Sequence, residues 1–168
     1  DISIVSVEPS STEVYVGQTV NITVTVQNEA NSPKTFDVTC KYELEGVEHT
    51  IGTQTINNLA PNAVTTLTFA WTTTDITVHT IKAEIPPLTG ETDTADNALT
   101  SPTTVKVKMM GDVNGDNQVD IRDIAQAVLA FGSYPNHPRW NPQADINQDN
   151  KVDIRDLALM ARNFGKTL

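Results

Sequence analysis

The sequence predicts an all-β sandwich followed by a small all-α module of two loop-helix repeats. Three observations carry that prediction. Short runs of alternating apolar and polar residues fill roughly the first two thirds of the chain. Two twelve-residue loops, Asp112 to Asp123 and Asp145 to Asp156, hold every acidic residue of the last sixty positions. Each loop runs into a stretch whose apolar residues recur every three or four positions. Period two belongs to strands, and this longer spacing to helices.

The sandwich is expected over residues 1–108. Ile2, Ile4 and Val7 open it, and Val14 to Val16 is a short second candidate. Val20, Ile22, Val24 and Val26 then alternate strictly with Asn21, Thr23 and Thr25, the pattern of a half-buried strand. Further candidates are Thr35 to Glu43, Val47 to Ile56, Val64 to Trp71, Val78 to Ile85 and Thr103 to Lys108, separated by Gly, Pro, Asn and Asp turn signals. Seven or eight strands at this spacing suit a sandwich. Cys40, the single cysteine, excludes an intrachain disulfide and reads as a small buried strand side chain. Asn21-Ile22-Thr23 is the one glycosylation sequon, with Asn21 on the polar face of its strand. Asp93, Asp96 and Asn97 read as a satisfied turn, with a third cation as the other reading.

The all-α module is expected over residues 109–168. Its loops place Asp at positions one, five, nine and twelve and Asn at position three: Asp112, Asn114, Asp116, Asp120 and Asp123, then Asp145, Asn147, Asp149, Asp153 and Asp156. A tight loop turns its odd-numbered side chains inward, position seven offers a backbone carbonyl, and position twelve reaches back from the following helix. Gln118 and Lys151 supply those carbonyls. Hard oxygens in this order are the ligand set of calcium, so the expected cofactor is two Ca2+. Position six, normally Gly, is Asn117 and Asn150, the residue type that best tolerates positive φ without being glycine.

The loops are copies. Aligning Gly111 to Gly132 with Ala144 to Gly165 gives 12 identities in 22 positions, which is internal repetition. The apolar face of the first helix is expected at Ile124, Val128 and Phe131, and that of the second at Leu157, Met160, Ala161 and Phe164. Gly132 and Gly165 are expected to stop the helices. Between the repeats, Ser133 to Gln143 holds three prolines and is not helical. Its Tyr134 and Trp140 are expected to cap the small core, although aromatics with Arg139 and His137 also suit a binding hot spot.

On these ten ligands, on Asp closing each loop, and on the missing helix before each loop, residues 110 to 168 resemble dockerin domains. The resemblance implies calcium-dependent docking onto a cohesin-like partner through loop positions ten and eleven, here Ile121, Arg122, Ile154 and Arg155. Upstream, Val16-Gly17-Gln18-Thr19, then Val26-Gln27-Asn28, then Asp93, Asp96 and Asn97, are similar to the CARDB family. That likeness implies an immunoglobulin-like, extracellular, non-catalytic spacer or adhesion module.

Composition narrows the function classes. The net charge is −10, with 13 acids against 5 bases in the first 108 residues and 8 against 6 in the rest. Two calcium ions bring the C-terminal module to about plus two beside an acidic sandwich. An acidic chain is a poor partner for nucleic acid, and no apolar stretch approaches the roughly 20 residues of a membrane span. No signal peptide is present, so the chain is expected to begin at a mature or cloned start. His49, His79 and His137 have no partner at metal-ligand or triad spacing, and there is no nucleophile elbow, phosphate loop or zinc motif. Catalysis is therefore not expected. Two functions remain: a calcium-binding structural or adhesion protein that docks, with head-to-tail docking onto copies of itself as one form, or the docking and spacer module of a secreted multidomain enzyme.

Overall fold

The computed structural model describes residues 1–167 and divides into two compact units, Asp1–Val107 and Lys108–Leu168. The first unit is built of nine strands: β1 (Ile2–Pro9), β2 (Glu13–Tyr15), β3 (Thr19–Asn28), β4 (Lys34–Leu44), β5 (Val47–Leu59), β6 (Val64–Thr72), β7 (Val78–Glu84), β8 (Ala98–Thr100) and β9 (Val105–Lys108). One sheet runs β1-β3-β6; the other runs β2-β9-β7-β4-β5, with β8 also on β7. The immunoglobulin-like sandwich holds. The strand missing from the sequence reading is β8, whose three residues are too few to display a period.

The alternation that marks β3 in the sequence is also what packs it. Val20, Ile22, Val24 and Val26 are fully buried and meet Phe36, Val38 and Cys40 of β4, Phe69 and Trp71 of β6, and Ile81 and Ala83 of β7 in one core. Burying a side chain of this size contributes about 1.5–3 kcal/mol. Asn21 lies on the exposed face. Asn28 is buried because its side chain closes neighbouring loops. Its amide donates to the carbonyls of Ser32, Leu59 and Ala60, and its Oδ1 accepts from Ala30 N. Burial pushes the Cys40 thiol up to about 12, so it stays protonated as a packing side chain.

The second unit has two helices, α1 (Ile121–Ala130) and α2 (Ile154–Asn163). Its core gathers Val113, Ala127, Ala130, Ala144, Ile146, Val152 and Met160, with Trp140 packed against it. Trp140 therefore caps the core as expected, whereas Tyr134 is exposed and edge-on to His137 at 5.5 Å. The expected helix faces need correction. Ile124, Leu157 and Met160 pack inward, but Val128, Phe131, Ala161 and Phe164 are exposed. The rotation of each helix is set by its closing acid. Asp123 is buried, so Ala127 and Ala130, one and two turns on, face inward with it; in α2 the same rule aligns Asp156 with Met160.

Candidate metal centre

Each twelve-residue loop is organised by its own carboxylates. In the first, Asp112 Oδ1 accepts the amides of Gly115 and Asp116, and Oδ2 that of Asn117. Asn114 Oδ1 accepts from Asp116 N, and Asp116 Oδ1 from Gln118 N. The second loop repeats the pattern: Asp145 accepts from Asp149 N and Asn150 N, Asn147 from Asp149 N, and Asp149 from Lys151 N. Asn117 and Asn150 adopt φ of 61° and 66°, the left-handed turn that the sixth position requires.

The closing acids do two tasks. Asp123 Oδ1 accepts from Val113 N and Asn114 N at the loop entry, while Oδ2 accepts from Asp120 N. With Asp120 as N-cap this completes a capping box on α1, and Asp153 with Asp156 does the same on α2. Asp156 likewise holds Ile146 N, Asn147 N and Asp153 N.

Asp112, Asp116 and Asp123 each bring one carboxylate oxygen within 4.8 Å of the others. Oxygens about 2.4 Å from a common cation lie within that separation of one another, so the donor set fits a calcium-sized ion. Charge crowding is visible too. Burial raises the Asp145 carboxyl above its ordinary range, against backbone hydrogen bonds from Asn150 and Asp149, and the nearby Asp156 and Asp149 charges raise it further. Asp120 moves the other way, because Arg122 holds its carboxyl low.

At loop position ten, Ile121 and Ile154 are about two-thirds exposed, at 66% and 67%. At position eleven, the Arg122 and Arg155 side chains are exposed as well. Val128, Leu129 and Phe131 add apolar surface to the first repeat and Phe164 to the second.

The structure also assembles residues that the sequence keeps apart. Asp1, Glu29 and Asp96 bring one carboxylate oxygen each within 4.8 Å of the others, a spacing a cation can share. Of the trio singled out in sequence, Asp96 alone belongs to this cluster. Asp93 closes its own turn by accepting from Ala95 N, and the buried Asn97 donates to Glu91. The fold also brings His49 and His79 together: both contact Tyr42, stacked at 5.1 Å and edge-on at 5.3 Å, and Trp71 completes the group. Separations of 28 and 67 residues along the chain leave no local signal for the acidic cluster.

Residues 110–165 match the model of the dockerin type I domain, and residues 1–101 match that of CARDB. Among solved structures, the sandwich is similar to the CARDB domain of a Pyrococcus furiosus protein, described as in complex with di-metal ions. Identity is 20% and the TM-score 0.53, covering 65% of this chain and 94% of that one. A solution NMR structure of a CARDB domain from the same organism gives 21% identity and a TM-score of 0.50, covering 65% and 95%. These likenesses show a shared fold. No curated protein matches the chain.

Proposed function

Because the chain belongs to the CARDB family and carries a dockerin type I module behind that domain, we propose that it is an extracellular, non-catalytic structural and adhesion protein. Its C-terminal module docks onto another protein once calcium has ordered it. Both families are non-catalytic domains, which supports assigning the chain no reaction of its own.

The observation that carries this proposal is the double duty of Asp123 and Asp156. In each repeat the acid that closes the loop also caps the helix behind it. Asp112, Asn114, Asp116, Asp120 and Asp123, with the Gln118 carbonyl, would hold one Ca2+. Asp145, Asn147, Asp149, Asp153 and Asp156, with the Lys151 carbonyl, would hold the second. Calcium supplies the charge that lets the crowded carboxylates sit together, and its binding energy adds to folding energy. Ordered helices then present Ile121, Arg122, Ile154 and Arg155 to the partner.

The partner is a cohesin-like or other sandwich-domain protein, including another copy of this chain. Charge supports the second case, since the sandwich carries 13 acids against 5 bases and a calcium-loaded module is basic. A head-to-tail contact of module to sandwich whose rotation does not close into a ring yields filaments or layers. The alternative, a docking and spacer module of a secreted enzyme, needs a separate cohesin-like protein. Sedimentation velocity in millimolar calcium and again in chelator separates them. Calcium-dependent polymers, imaged by negative stain, favour self-assembly, whereas a monomer in both conditions favours the alternative. Identical sedimentation with no calcium-induced compaction opposes both.

A further inference from the structure

The two position-eleven arginines are not equivalent. Arg122 lies across the first loop: its Nη2 is 2.7 Å from Asp120 Oδ2 and 3.2 Å from Asp116 Oδ2, and its Nε is 3.0 Å from Asp120 Oδ2. Arg155 touches one acid of the second loop, Asp149, with Nη1 3.3 Å from Oδ2. Among the described residues its hydrogen bond to Asp153 is the backbone cap, N to Oδ1 at 2.8 Å. The internal copy therefore serves as a control: the same Ile-Arg pair follows the same ligands, but one guanidinium bridges two ligand carboxylates and the other meets one.

We propose that Arg122 is an internal counter-cation of the first loop, whose guanidinium competes with calcium for Asp116 and Asp120 and is released onto the docking face when calcium enters. The release of Arg122 rests on the calcium reading of the loops given above.

The physical basis is that a carboxylate shared with a fixed positive charge has less to offer a divalent ion. Two cations drawn to the same oxygens also repel each other across a few ångströms. The planar fork of arginine matches carboxylates more closely than a lysine ammonium can, so the competition depends on shape as well as charge. Arg122 is 61% exposed at its side chain, so once freed it is available to an acidic partner surface. Linkage then runs both ways. Whatever draws Arg122 off the loop raises the loop's calcium affinity by the factor by which calcium raises affinity for that partner. The second loop carries its own cation, Lys151. It pairs with no carboxylate among the described residues, so its effect is a screened one.

The test is a calcium titration of the full chain with amide NMR reading each loop separately, in the parent, Arg122→Ala, Arg155→Ala and Arg122→Lys. Unchanged sandwich amides show that the fold survives. Arg122→Ala is expected to tighten the first loop several-fold, Arg155→Ala to tighten the second by less, and Arg122→Lys to fall between parent and Ala. In the parent, exchange of the Arg122 Nε–H with water should accelerate as calcium is added. The proposal is overturned if Arg122→Ala leaves the first loop's affinity unchanged or lower, or if the Arg122 Nε–H stays equally protected with calcium. Two loops that bind calcium with Arg122→Ala silent would sink the counter-cation alone. A parent in which neither loop binds would sink the calcium reading with it.

Discussion

Gly132 donates its backbone N–H to the Val152 carbonyl at 2.8 Å, tying the end of α1 to the eighth position of the second loop. Val152 N returns a bond to Ser133 O at 3.0 Å. The copy is complete: Gly165 donates to Val119 at 2.8 Å, and Val119 N to Lys166 O at 3.0 Å. Each loop thus caps its own helix and is braced by the segment behind the other helix. The coupling runs in a ring: first loop, α1, second loop, α2, first loop.

Removal of a closing acid should therefore be felt in both repeats. Asp123→Ala deletes a proposed ligand and the acceptor of three backbone amides. The capping box loses its N3 half while the Asp120 cap stays, and the buried Val113 amide left unpaired costs about 1–3 kcal/mol. Calorimetric stoichiometry should drop from two calcium ions to one, with the second loop's affinity falling as well. Asp156→Ala should do the reverse. An unchanged stoichiometry in either variant would show the ligand assignment to be wrong.

Two glycines separate strain from clash. Gly132 has φ of +78° and nothing within 4 Å of an added Cβ, whereas Gly111 has φ of +100° and places that Cβ 3.2 Å from Val119 Cγ1 and 3.3 Å from Met160 Cα. Gly132→Ala should cost about 1 kcal/mol, the penalty for an L-residue in the left-handed region. Gly111→Ala adds the repacking of Val119 and α2, for about 2–3 kcal/mol in all. Thermal unfolding of the calcium-loaded chain ranks the two.

How far the sequence could be read follows from the range of its signals. The loops were legible because all their acids and asparagines fall within twelve residues at fixed spacing, and a copy repeats the period. β3 was legible because its alternation is uninterrupted. The helix faces were only half legible, because hydrophobicity argued for Val128 and Phe131 while the buried Asp123 dictated Ala127 and Ala130. A carboxylate held inward overrides apolar periodicity on so short a helix. The cluster of Asp1, Glu29 and Asp96, and the grouping of His49 with His79 around Tyr42, had no local signal, since strand pairing alone brings them together.

Chelation should act on one unit. Stripping calcium leaves four carboxylates in each loop with a single arginine beside them, so the amides of α1 and α2 should lose hydrogen-exchange protection. Those of β3, β4 and β7 should keep theirs, because their core is hydrocarbon. Calcium added back should restore the helices. Loss of protection in the sandwich strands would contradict the separation.

The sandwich has its own acid sensitivity at Glu91. Burial pulls its carboxyl upward, but bonds from Leu88 N, Asn97 Nδ2 and Ile2 N more than offset this and hold it below the usual range. A depressed carboxyl lends stability above its unfolded value of about 4.5 and loses it as pH falls through the lower folded value. Hydrogen bonds to a charged group contribute about 1.5–3 kcal/mol. Glu91→Gln should thus lower sandwich stability by about that amount at pH 7 and flatten the decline below pH 4.5. Urea unfolding at both pH values measures the difference.

The most direct test of the central claim is a calcium titration of the full chain followed through the amides of Asn117 and Asn150, which sit at the turn of each loop. The account predicts saturable shifts at both, reaching a plateau at two equivalents of tightly bound calcium, with α1 and α2 gaining protection in step. A titration that leaves both amides unmoved, or that moves them without ordering the helices, would contradict it.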